Sequence, residues 1–383
     1  MAGVRRHALV IGAGLAGPAT ALFLRKIGIT TTIYEARPPA HALGGGVVLA
    51  PNGMNVLAEL GLADRVKARG ALALENRFYT EAGRRLARFS NGGTRYGQPA
   101  VAVARDELRA VLAAELASRA IAVHHGKPLV DVARDRDDKV VARFEDGTTA
   151  EGDLLVGADG VQSRTRAAVF PAASPPTFAS AIGVGGITPA AALPHLTDED
   201  RQSLTYTFGA RGLFSSCGTR AGDVMWWSSF HRAQPLGQRE LGPRELLDVF
   251  GHYHAPIPAL IEAAGSTVTL DLFEVATMPR WHDGRVVLVG DAAHGPSPSS
   301  GQGASLALED AMDLAKRLRD DLDHARAFAA FERDRRARVE RIDAPLRTHA
   351  GTFARWFTLN VFGRRLQDWV YRYRVDWGPA AAG

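Results

Sequence analysis

Cysteine is almost absent from the 383-residue sequence, since Cys217 stands alone. The chain can therefore form no internal disulfide, and a C-x-x-C motif or a thiolate metal cluster is excluded. A reducing compartment is expected, and we predict a cytoplasmic protein. No run of about 18 apolar residues is present, so no membrane-spanning helix is predicted. Arg5-Arg6-His7 leads directly into an apolar strand, which is not the pattern of a signal peptide.

Lysine is scarce as well, because the 46 basic residues comprise 41 arginines and 5 lysines. The basic residues are scattered among 41 acidic ones, and the net charge is only +5. No basic patch stands out, so nucleic acid is not expected as a partner. Apolar residues make up 46% of the chain and charged residues 23%, which excludes disordered, collagen-like and coiled-coil proteins. The length predicts two or three domains of about 150 residues each.

The first 35 residues have the pattern of a βαβ unit. Residues 8–11 are a short apolar run that ends in glycines, as a buried parallel strand does. A helix is predicted over about 15–27, and a β-branched strand over 30–34. Two later runs, 153–157 and 285–290, have the same buried character. We expect these distant segments to join the first unit in one parallel sheet.

Residues 176–278 have a different pattern, with short β segments separated by turn residues. This pattern is typical of an antiparallel sheet. The predicted strands are Leu204–Phe208, Leu213–Ser216, Val224–Phe230 and Thr267–Phe273, and residues 71–99 are expected to join them. From Leu306 onward the sequence predicts helices, including one over Ala325–Ile342. Two interwoven domains followed by a helical tail fit these patterns best.

A dinucleotide-binding fingerprint lies at the first strand-to-helix turn. Gly12-Ala13-Gly14-Leu15-Ala16-Gly17 is a G-x-G-x-x-G motif, and Glu35 ends the next predicted strand. In such a motif one glycine forms the tight turn, one lets a pyrophosphate approach the backbone, and one permits close packing of helix on strand. The helix N-terminus offers free N–H groups to the phosphates, and the carboxylate can accept the ribose hydroxyls. The fingerprint alone leaves FAD and NAD(P) both open.

Two later segments narrow this choice. Gly290-Asp291-Ala292-Ala293-His294 follows the third buried strand, and Gly301-Gln302-Gly303-Ala304-Ser305 opens a long helix that contains Glu309-Asp310. With these motifs the sequence resembles the group A flavoprotein monooxygenases, the para-hydroxybenzoate hydroxylase-like family. It is similar in length to the salicylate, urate and tetracycline hydroxylase-like members. The resemblance implies FAD as the cofactor, with Asp291 on its ribityl chain and the helix after Gly303 directed at the flavin pyrimidine edge.

Further matches to this family follow the same order along the chain. The resemblance implies that Asp159-Gly160 contacts the FAD pyrophosphate, that Arg105 contacts FAD, and that Gly46-Val47 runs beside the flavin ring. It also implies an adenosine contact from Arg37 and a proline, Pro298, near the reactive edge of the flavin. The complete cofactor-binding set that the resemblance implies is Gly12, Gly14, Leu15, Ala16, Gly17, Glu35, Ala36, Arg37, Gly46, Val47, Arg105, Asp159, Gly160, Gly290, Asp291, Pro298, Gly301, Gly303, Ala304 and Ser305.

The resemblance also implies a domain arrangement. The fold would be α/β, with a Rossmann-like FAD-binding domain of the GR2 type, an inserted, mostly antiparallel β-sheet domain that binds substrate, and a C-terminal helical tail. The FAD-binding domain would comprise residues 1–70, 100–175 and 279–345. The substrate domain would comprise 71–99 and 176–278, and the tail 346–383.

The activity that the resemblance implies is hydroxylation of an aromatic or polycyclic small molecule. NADH or NADPH would reduce FAD, O2 would add to form a flavin C4a-hydroperoxide, and one oxygen would pass to the substrate. Epoxidation and Baeyer–Villiger-type insertion are the alternatives within the same class, with a natural product or a drug as substrate. A halogenase, a reductase and a non-catalytic FAD-binding protein are further alternatives. The W-x-W-x-I-P segment of halogenases is absent, because Trp226-Trp227 are adjacent and lack a following Ile-Pro.

Residues that line the substrate pocket are predicted from apolar or aromatic character on strands of the second sheet. They are Tyr206, Phe214, Met225 and Trp227, and Arg211 is a candidate partner for an anionic group. An electron-rich organic substrate fits this pocket better than a highly charged one. No catalytic side chain is assigned, because the flavin carries the difficult chemistry. No metal site is predicted, since His252-x-His254 lacks a third ligand pattern.

The C-terminal tail alternates arginine with aromatic residues, and its function is open at the level of sequence. Three interpretations remain: packing over the substrate domain, a dimer contact, or contact with a membrane surface. The protein is accordingly expected to be a monomer or a homodimer. The residues concerned are Phe353, Trp356, Phe357, Phe362, Arg364, Arg365, Trp369, Tyr371 and Tyr373.

Overall fold

A computed structural model describes residues 6–39, 45–91, 94–134, 139–275, 277–295, 301–343 and 363–379, which adopt a mixed α/β fold. The strands are His7–Ile11 (β1), Thr30–Glu35 (β2), Gly46–Leu49 (β3), Ala71–Ala73 (β4), Glu75–Thr80 (β5), Arg85–Ser90 (β6), Ala100–Ala104 (β7), Ala122–His125 (β8), Leu129–Arg134 (β9), Val140–Phe144 (β10), Thr149–Gly152 (β11), Leu154–Gly157 (β12), Thr177–Thr188 (β13), Ser203–Phe208 (β14), Gly212–Gly218 (β15), Val224–His231 (β16), Ser266–Glu274 (β17), His282–Asp283 (β18) and Val286–Leu288 (β19).

The α-helices are Ala16–Lys26 (α1), Pro51–Glu59 (α2), Ala63–Lys67 (α3), Arg105–Ser118 (α4), Arg164–Val169 (α5), Asp198–Arg201 (α6), Pro243–Phe250 (α7), Ile257–Glu262 (α8), Gly303–Asp320 (α9), His324–Asp343 (α10) and Arg364–Tyr371 (α11). Within the part of the chain that the structure describes, none of these helices is long and apolar enough to cross a bilayer. The helices predicted over about 15–27 and Ala325–Ile342 are confirmed to within one residue at each end.

A six-stranded sheet in the order β18-β19-β12-β1-β2-β8 carries the βαβ unit. β1 pairs in parallel with both β2 and β12, and β12 pairs in parallel with β19. The prediction that distant segments return to one parallel sheet is therefore confirmed. Helix α1 contacts α9 on one side of this sheet, and the aliphatic residues of β1 are almost completely buried. Burial on both faces explains why these strands are continuous apolar runs rather than alternating ones.

A seven-stranded sheet in the order β17-β13-β16-β15-β14-β5-β6 forms the second layer. All of its pairings except β14 with β5 are antiparallel. The four strands predicted in 204–273 are confirmed with small extensions, and β5 and β6 join them as expected for 71–99. β4 does not, because Ala71–Ala73 pairs with β7 in a separate three-stranded sheet, β3-β7-β4. β13 was not predicted, because its glycines weaken the strand pattern.

The two faces of the seven-stranded sheet have different neighbours. Helices α7 and α8 cover one face, where Phe214, Trp226 and Phe250 form a buried apolar cluster. The opposite face packs against the β3-β7-β4 sheet, where Leu204 and Cys217 contact Ala102. Because side chains alternate along a strand, the register decides which residues face which neighbour.

The described part of the C-terminal segment, residues 363–379, lies against both layers. The ring of Trp377 packs on Phe23 of α1, with ring centroids 5.3 Å apart. At the other layer, the side-chain amide of Gln367 donates to the carbonyl of Ser90 at 2.8 Å, and Tyr371 accepts from Asn76 at 3.3 Å. Four aromatic residues named above, Phe353, Trp356, Phe357 and Phe362, lie outside the described residues.

Candidate active site

The three glycines of the first turn differ in what a side chain would meet. Gly12 has φ +104°, and a Cβ there would lie 2.5 Å from the carbonyl oxygen of Ala158. A Cβ at Gly17 would lie 1.9 Å from the carbonyl oxygen of Gly12. At Gly14 no atom of the described residues lies within 4 Å of the Cβ position, so the backbone is open toward them. Packing therefore requires two of the glycines, and the third leaves the turn accessible to a ligand such as a pyrophosphate.

Glu35 ends β2 beside this turn and is held by backbone donors. One carboxylate oxygen accepts from the N–H of Ala13 at 2.7 Å, and the other accepts from the N–H of Arg37 at 2.8 Å. Leu15 and Ala16 form the entry to α1 directly opposite. Each carboxylate oxygen has a further lone pair, so the group can still accept hydroxyl donors. Ala36 and the exposed Arg37 follow it at the rim.

Gly290 is the position where three predicted segments meet. A Cβ on this residue, which has φ +57°, would lie 3.3 Å from the Cβ atoms of both Ala16 and Ala307. Its N–H donates to the Asp310 carboxylate at 2.8 Å. The end of β19, the start of α1 and the first turn of α9 therefore converge within van der Waals contact. The absence of a side chain at Gly290 permits this approach.

Asp291, which follows Gly290, interacts electrostatically with Arg105, the first residue of α4. Asp291 is exposed, yet the protein atoms around it desolvate its carboxyl group and raise the pKa of that group. Nearby His294 and Arg105 oppose that shift. Burial lowers the pKa of Arg105, and the charge of Asp291 acts against it. The N–H of Arg105 donates to the carbonyl of Gly45 at 3.2 Å, which ties α4 to the strand that carries Gly46 and Val47.

Among the described residues, no side chain caps the N-terminus of α9, so its first N–H groups are not taken by a capping side chain there. Gly303 and Ala304 begin the helix, and Gly301 precedes it with φ +59°. Ser305 is fully buried, and its hydroxyl accepts from the N–H of Ala50 at 3.2 Å. Ser305 therefore joins α9 to the start of α2. Pro298, predicted beside the flavin, lies outside the described residues.

The Asp159 carboxylate accepts hydrogen bonds from the residues that follow it in the same loop. One carboxylate oxygen accepts from the hydroxyl of Ser163 at 2.6 Å, and the other accepts from the N–H of Thr165 at 2.9 Å. Desolvation raises the pKa of Asp159, and these donors act against that shift. Gly160 follows with φ +77° and no atom within 4 Å of its Cβ position. The carboxylate shapes the loop, and the backbone at Gly160 is the part that remains open.

A buried cluster of charges lies beneath the α9 N-terminus, and the sequence did not reveal it. Arg335 donates to Asp310 and to Glu309 at 2.7 Å each, and Arg338 donates to Glu309 at 2.6 and 2.7 Å. His294 contacts Asp310 at 2.6 Å. All five side chains are at least nine-tenths buried. The available signal was the spacing of Arg335 and Arg338, which lie three residues apart and so share one face of α10.

Three of the predicted substrate residues lie on the sheet face toward the β3-β7-β4 sheet. Tyr206, Ser215 and Trp227 occupy one register row, and Met225 lies on the same face. The Tyr206 hydroxyl lies 3.7 Å from the Cβ position of Gly301, and the Met225 methyl lies 2.2 Å from that of Gly46. The structure thus brings predicted substrate and predicted cofactor residues into contact.

The other two predicted substrate residues are corrected by the structure. Phe214 is 1% exposed and lies on the opposite face, where its ring packs on Trp226 and on Phe250 of α7. Strand alternation turns it away, because it is one residue out of phase with Ser215. Arg211 lies in the β14–β15 turn, and its guanidinium donates to the carbonyl of Asp248 in α7. Neither residue lines the face that contains Tyr206.

A cavity of about 430 Å³ lies between the β3-β7-β4 sheet and the seven-stranded sheet. Its apolar wall comes from Gly46, Ala102, Val103, Ala104, Ile187 and Met225. Gly46 pairs with Ala104 in the cavity wall, and the next residue after Ala104 is Arg105, which interacts electrostatically with Asp291.

The family described as FAD binding domain matches residues 5–344. The chain belongs to this family. The prediction of FAD as the cofactor is confirmed by this match and by a solved relative that contains FAD. Members of the FAD-binding domain family are therefore the appropriate comparison for the site.

Two of its relatives are 3-amino-4-hydroxybenzoate 2-monooxygenase from Streptomyces cremeus and 6-hydroxynicotinate 3-monooxygenase from Pseudomonas fluorescens. The first is 34% identical over 80% of this chain and 76% of its own. The second is 32% identical over 87% of this chain and 88% of its own. A similar solved structure is HpxO from Klebsiella pneumoniae complexed with FAD and uric acid, with a TM-score of 0.79, 27% identity and coverage of 96% and 92%. The predicted resemblance to flavoprotein monooxygenases is confirmed.

The residues of the first turn fit the cofactor of the FAD-binding domain family. Gly14 and Gly160 expose backbone without a side chain within reach, as a phosphate-binding surface requires. The α9 N-terminus presents uncapped N–H groups, which suit the negative charge of a reduced flavin. Among the described residues, no group of three His, Cys, Asp or Glu side chains could hold a metal ion.

Proposed function

We propose that this protein is an FAD-dependent monooxygenase that uses NADH or NADPH and O2 to hydroxylate a small aromatic molecule. The observation that carries the proposal is the meeting of Tyr206 and Met225, from the seven-stranded sheet, with Gly301 and Gly46 of the FAD-binding part. Monooxygenase relatives that cover most of the chain support it. When bound, FAD supplies the reduction of O2 and the transfer of one oxygen atom.

Residues of the chain would bind the parts of FAD and stabilise its negative charge. We assign the phosphates to Gly14 and the α1 N-terminus, the ribose to Glu35, and the ribityl chain to Asp291. The α9 N-terminus at Gly303 would stabilise negative charge on the flavin through its dipole. The other cofactor residues implied by the sequence remain part of this proposal.

The domain division follows from the same assignment. We infer that residues 1–70, 100–175 and 279–345 hold FAD, and that 71–99 and 176–278 form the substrate domain. The face of the seven-stranded sheet that contains Tyr206 and Trp227 would cover the substrate and exclude water from it. The indole of Trp227 lies over Gly183 and Gly185, where a Cβ would come within 2.2 and 3.0 Å of the ring. The two glycines therefore create the space that the indole occupies.

The cavity volume and the compounds named for the relatives support a substrate class. The cavity of about 430 Å³ has room for a molecule of one or two rings. Two relatives named above are monooxygenases of 3-amino-4-hydroxybenzoate and 6-hydroxynicotinate, and the solved HpxO structure contains uric acid. We propose a substrate of this class, with an electron-rich ring.

The proposal is tested by single-turnover chemistry with the FAD-loaded protein. NADH or NADPH is mixed anaerobically with the protein and one member of a panel of hydroxylated aromatics, and O2 is then added. We expect one panel member to accelerate flavin reduction and to gain one oxygen atom from ¹⁸O2, as measured by mass spectrometry. Reduction without incorporation of ¹⁸O into any panel member would favour a reductase. No reduction by either nicotinamide would favour a non-catalytic flavoprotein, and halide-dependent product formation would favour a halogenase.

A further inference from the structure

Sulfur-containing residues are few in this chain, which has one cysteine and five methionines. Met225 is partly buried and lines the cavity between the β3-β7-β4 sheet and the seven-stranded sheet. The other sulfur-containing residues that the structure describes are all buried, at 4% exposure or less: Met54, Met278, Met312 and Cys217. Met1 lies outside the described residues. Within the described part of the chain, Met225 is therefore the only sulfur-containing residue that is not buried.

The position of Met225 brings its thioether to the FAD-binding part. On β16 it pairs with Cys217 of β15 on one side and with Ile187 of β13 on the other. Its Sδ lies 2.8 Å from the Cβ position of Gly46 on β3, so the absence of a side chain at Gly46 leaves room for the thioether. In the proposed function Gly46 runs beside the flavin ring. The thioether would then lie next to the place where O2 is reduced.

The two sulfur atoms of the Cys217–Met225 pair differ in their reactivity toward peroxide. Peroxide attacks the thiolate form of a cysteine, and burial raises the pKa of Cys217 to about 12. The Cys217 thiol therefore stays protonated at neutral pH. A thioether has no proton to lose, so its oxidation requires only that the oxidant reaches it. Chemistry and exposure thus both favour Met225 over its neighbour.

We propose that Met225 is an oxidation site, at which H2O2 formed at the protein's own flavin converts the thioether to a sulfoxide. The inference rests on the FAD site of the proposed function. When no hydroxylatable substrate is bound, O2 takes two electrons and two protons from reduced flavin and becomes H2O2. The O–O bond of H2O2 then breaks, one oxygen forms an S–O bond, and the other leaves as water. The sulfur loses two electrons and the peroxide gains them.

The sulfoxide would change the character of the cavity wall. Val103 and Ile187 contribute aliphatic surface beside Met225, and a thioether is apolar as well. Methionine sulfoxide is polar, and methionine sulfoxide reductases convert it back to the thioether. The modification would therefore record unproductive reduction of O2 in a reversible form.

The first test adds H2O2 to the FAD-loaded protein and follows the methionines by mass spectrometry of tryptic peptides. Residues 221–232 form a tryptic peptide in which Met225 is the only methionine. We expect this peptide to gain about 16 Da, at a rate about tenfold or more above that of the peptides with buried methionines. Those methionines are Met54, Met278 and Met312.

A variant assigns the added oxygen to one residue, because Trp226 and Trp227 lie in the same peptide and can also be oxidised. Met225→Leu removes the sulfur and nearly conserves the volume of the side chain. The corresponding peptide of this variant should gain no oxygen, and fragment spectra of the wild-type peptide should place the oxygen on Met225. FAD content and thermal midpoint verify that the variant is folded.

The second test determines whether the oxidant forms at the flavin. The FAD-loaded protein is reduced anaerobically with stoichiometric dithionite and mixed with O2 over several cycles, with catalase present to remove H2O2 from solution. We expect the Met225 sulfoxide to accumulate with each cycle, because the oxidant forms beside the thioether. The control receives the same total amount of H2O2 from outside, also with catalase, and should remain unmodified.

Three outcomes would overturn the inference. They are oxidation of Met225 no faster than that of the buried methionines, addition of oxygen to the tryptophans instead, and catalase protection that is equal in both arms of the second test. Because dithionite replaces the nicotinamide and the product is measured on the protein, the result is separate from the monooxygenase proposal. Met225 oxidation without hydroxylation of any panel member would leave the oxidation site standing and contradict the proposed function. Hydroxylation of a panel member with Met225 unmodified in both tests would do the reverse.

Discussion

Gly14 and Gly17 belong to one motif, but the structure predicts that alanine substitution will affect FAD affinity at Gly14 and stability at Gly17. A methyl group at residue 17 would lie 1.9 Å from the Gly12 carbonyl oxygen, whereas at residue 14 it would have no atom within 4 Å in the part of the chain that the structure describes. We expect Gly14→Ala to fold with the thermal midpoint of the wild-type apoprotein and to lose affinity for FAD. Gly17→Ala should lower the apoprotein midpoint itself, since backbone atoms must shift.

Differential scanning fluorimetry of the apoproteins and fluorescence titration with FAD separate the two effects. Gly242→Ala is the control, because no described atom lies within 4 Å of its Cβ position either, and Gly242 lies at the start of α7, on the face of the seven-stranded sheet away from β3-β7-β4. An apo midpoint for Gly14→Ala as low as that for Gly17→Ala would show that Gly14 is required by packing.

At the scale of elements, strands were easier to predict than the faces they present. Apolar runs such as β1 and β19 are buried on both sides, so composition alone identifies them. Phe214 and Tyr206 are both aromatic residues on adjacent strands, and only the register places them on opposite faces. The pairing of Arg335 with Asp310 depends on how α10 crosses α9, which no local pattern contains. The close approaches at Gly12 and Gly17 could be predicted because the constraint on these glycines is local to one turn.

Phe214 and Tyr206 lie on opposite faces of the seven-stranded sheet. Substitution of Phe214 should therefore affect stability, and substitution of Tyr206 should affect ligand affinity. Phe214→Ala should lower the free energy of unfolding by about 3–5 kcal/mol, because it leaves a cavity in the cluster under α7, and should leave ligand affinity unchanged. Tyr206→Phe keeps the ring stacked on Phe78, with centroids 5.2 Å apart, but removes the hydroxyl near Gly301. It should change ligand affinity with little effect on stability. Chemical denaturation and calorimetric binding measure both, and a stability loss confined to Tyr206→Phe would reverse the face assignment.

The contact between α9 and α10 depends on buried charge. Arg335→Met would leave Glu309 and Asp310 short of a partner and should lower the free energy of unfolding by about 3–5 kcal/mol at pH 7. Arg333→Met on the same helix is the control, because its side chain is 70% exposed and solvent screens its pair with Asp334. Denaturant unfolding of the two variants checks this difference.

The same cluster predicts a pH dependence with a definite sign. Burial raises the pKa of Asp310, but the charges of His294 and Arg335 more than offset this, and the pKa lies well below its ordinary value. The stabilisation is therefore present above the unfolded carboxyl pKa of about 4 and is lost as the pH falls below it. The difference between wild type and Arg335→Met should be largest near neutral pH and should narrow toward pH values of about 3. A difference that stays constant over this range would contradict the assignment.

At the scale of the whole molecule, residues 363–379 contact helices α1 and α10 on one side and the edge of the seven-stranded sheet on the other. The carbonyl of Val370 accepts from Arg338 at 3.0 Å, while Gln367 donates to Ser90 at 2.8 Å on the sheet. The ring of Tyr373 lies 3.7 Å from the Arg338 guanidinium and 5.8 Å from that of Arg335. The C-terminal segment therefore covers the buried charges that support the α9 N-terminus, and we expect cofactor retention to depend on it.

Tyr373→Ala tests this dependence, with Tyr373→Phe as the matched control. Loss of the ring removes a cation–π contact of about 0.5–2 kcal/mol and admits water to Arg338 and Glu309. The weakened support should loosen the α9 N-terminus before the sheets unfold. Flavin fluorescence should therefore rise several degrees below the circular dichroism transition in the alanine variant, whereas the two transitions should coincide in the wild type and in Tyr373→Phe. If the alanine variant releases flavin and unfolds together at the wild-type temperature, the segment does not support the cofactor site. If Tyr373→Phe releases flavin at the same low temperature as Tyr373→Ala, the Tyr373 hydroxyl rather than its ring supports cofactor retention.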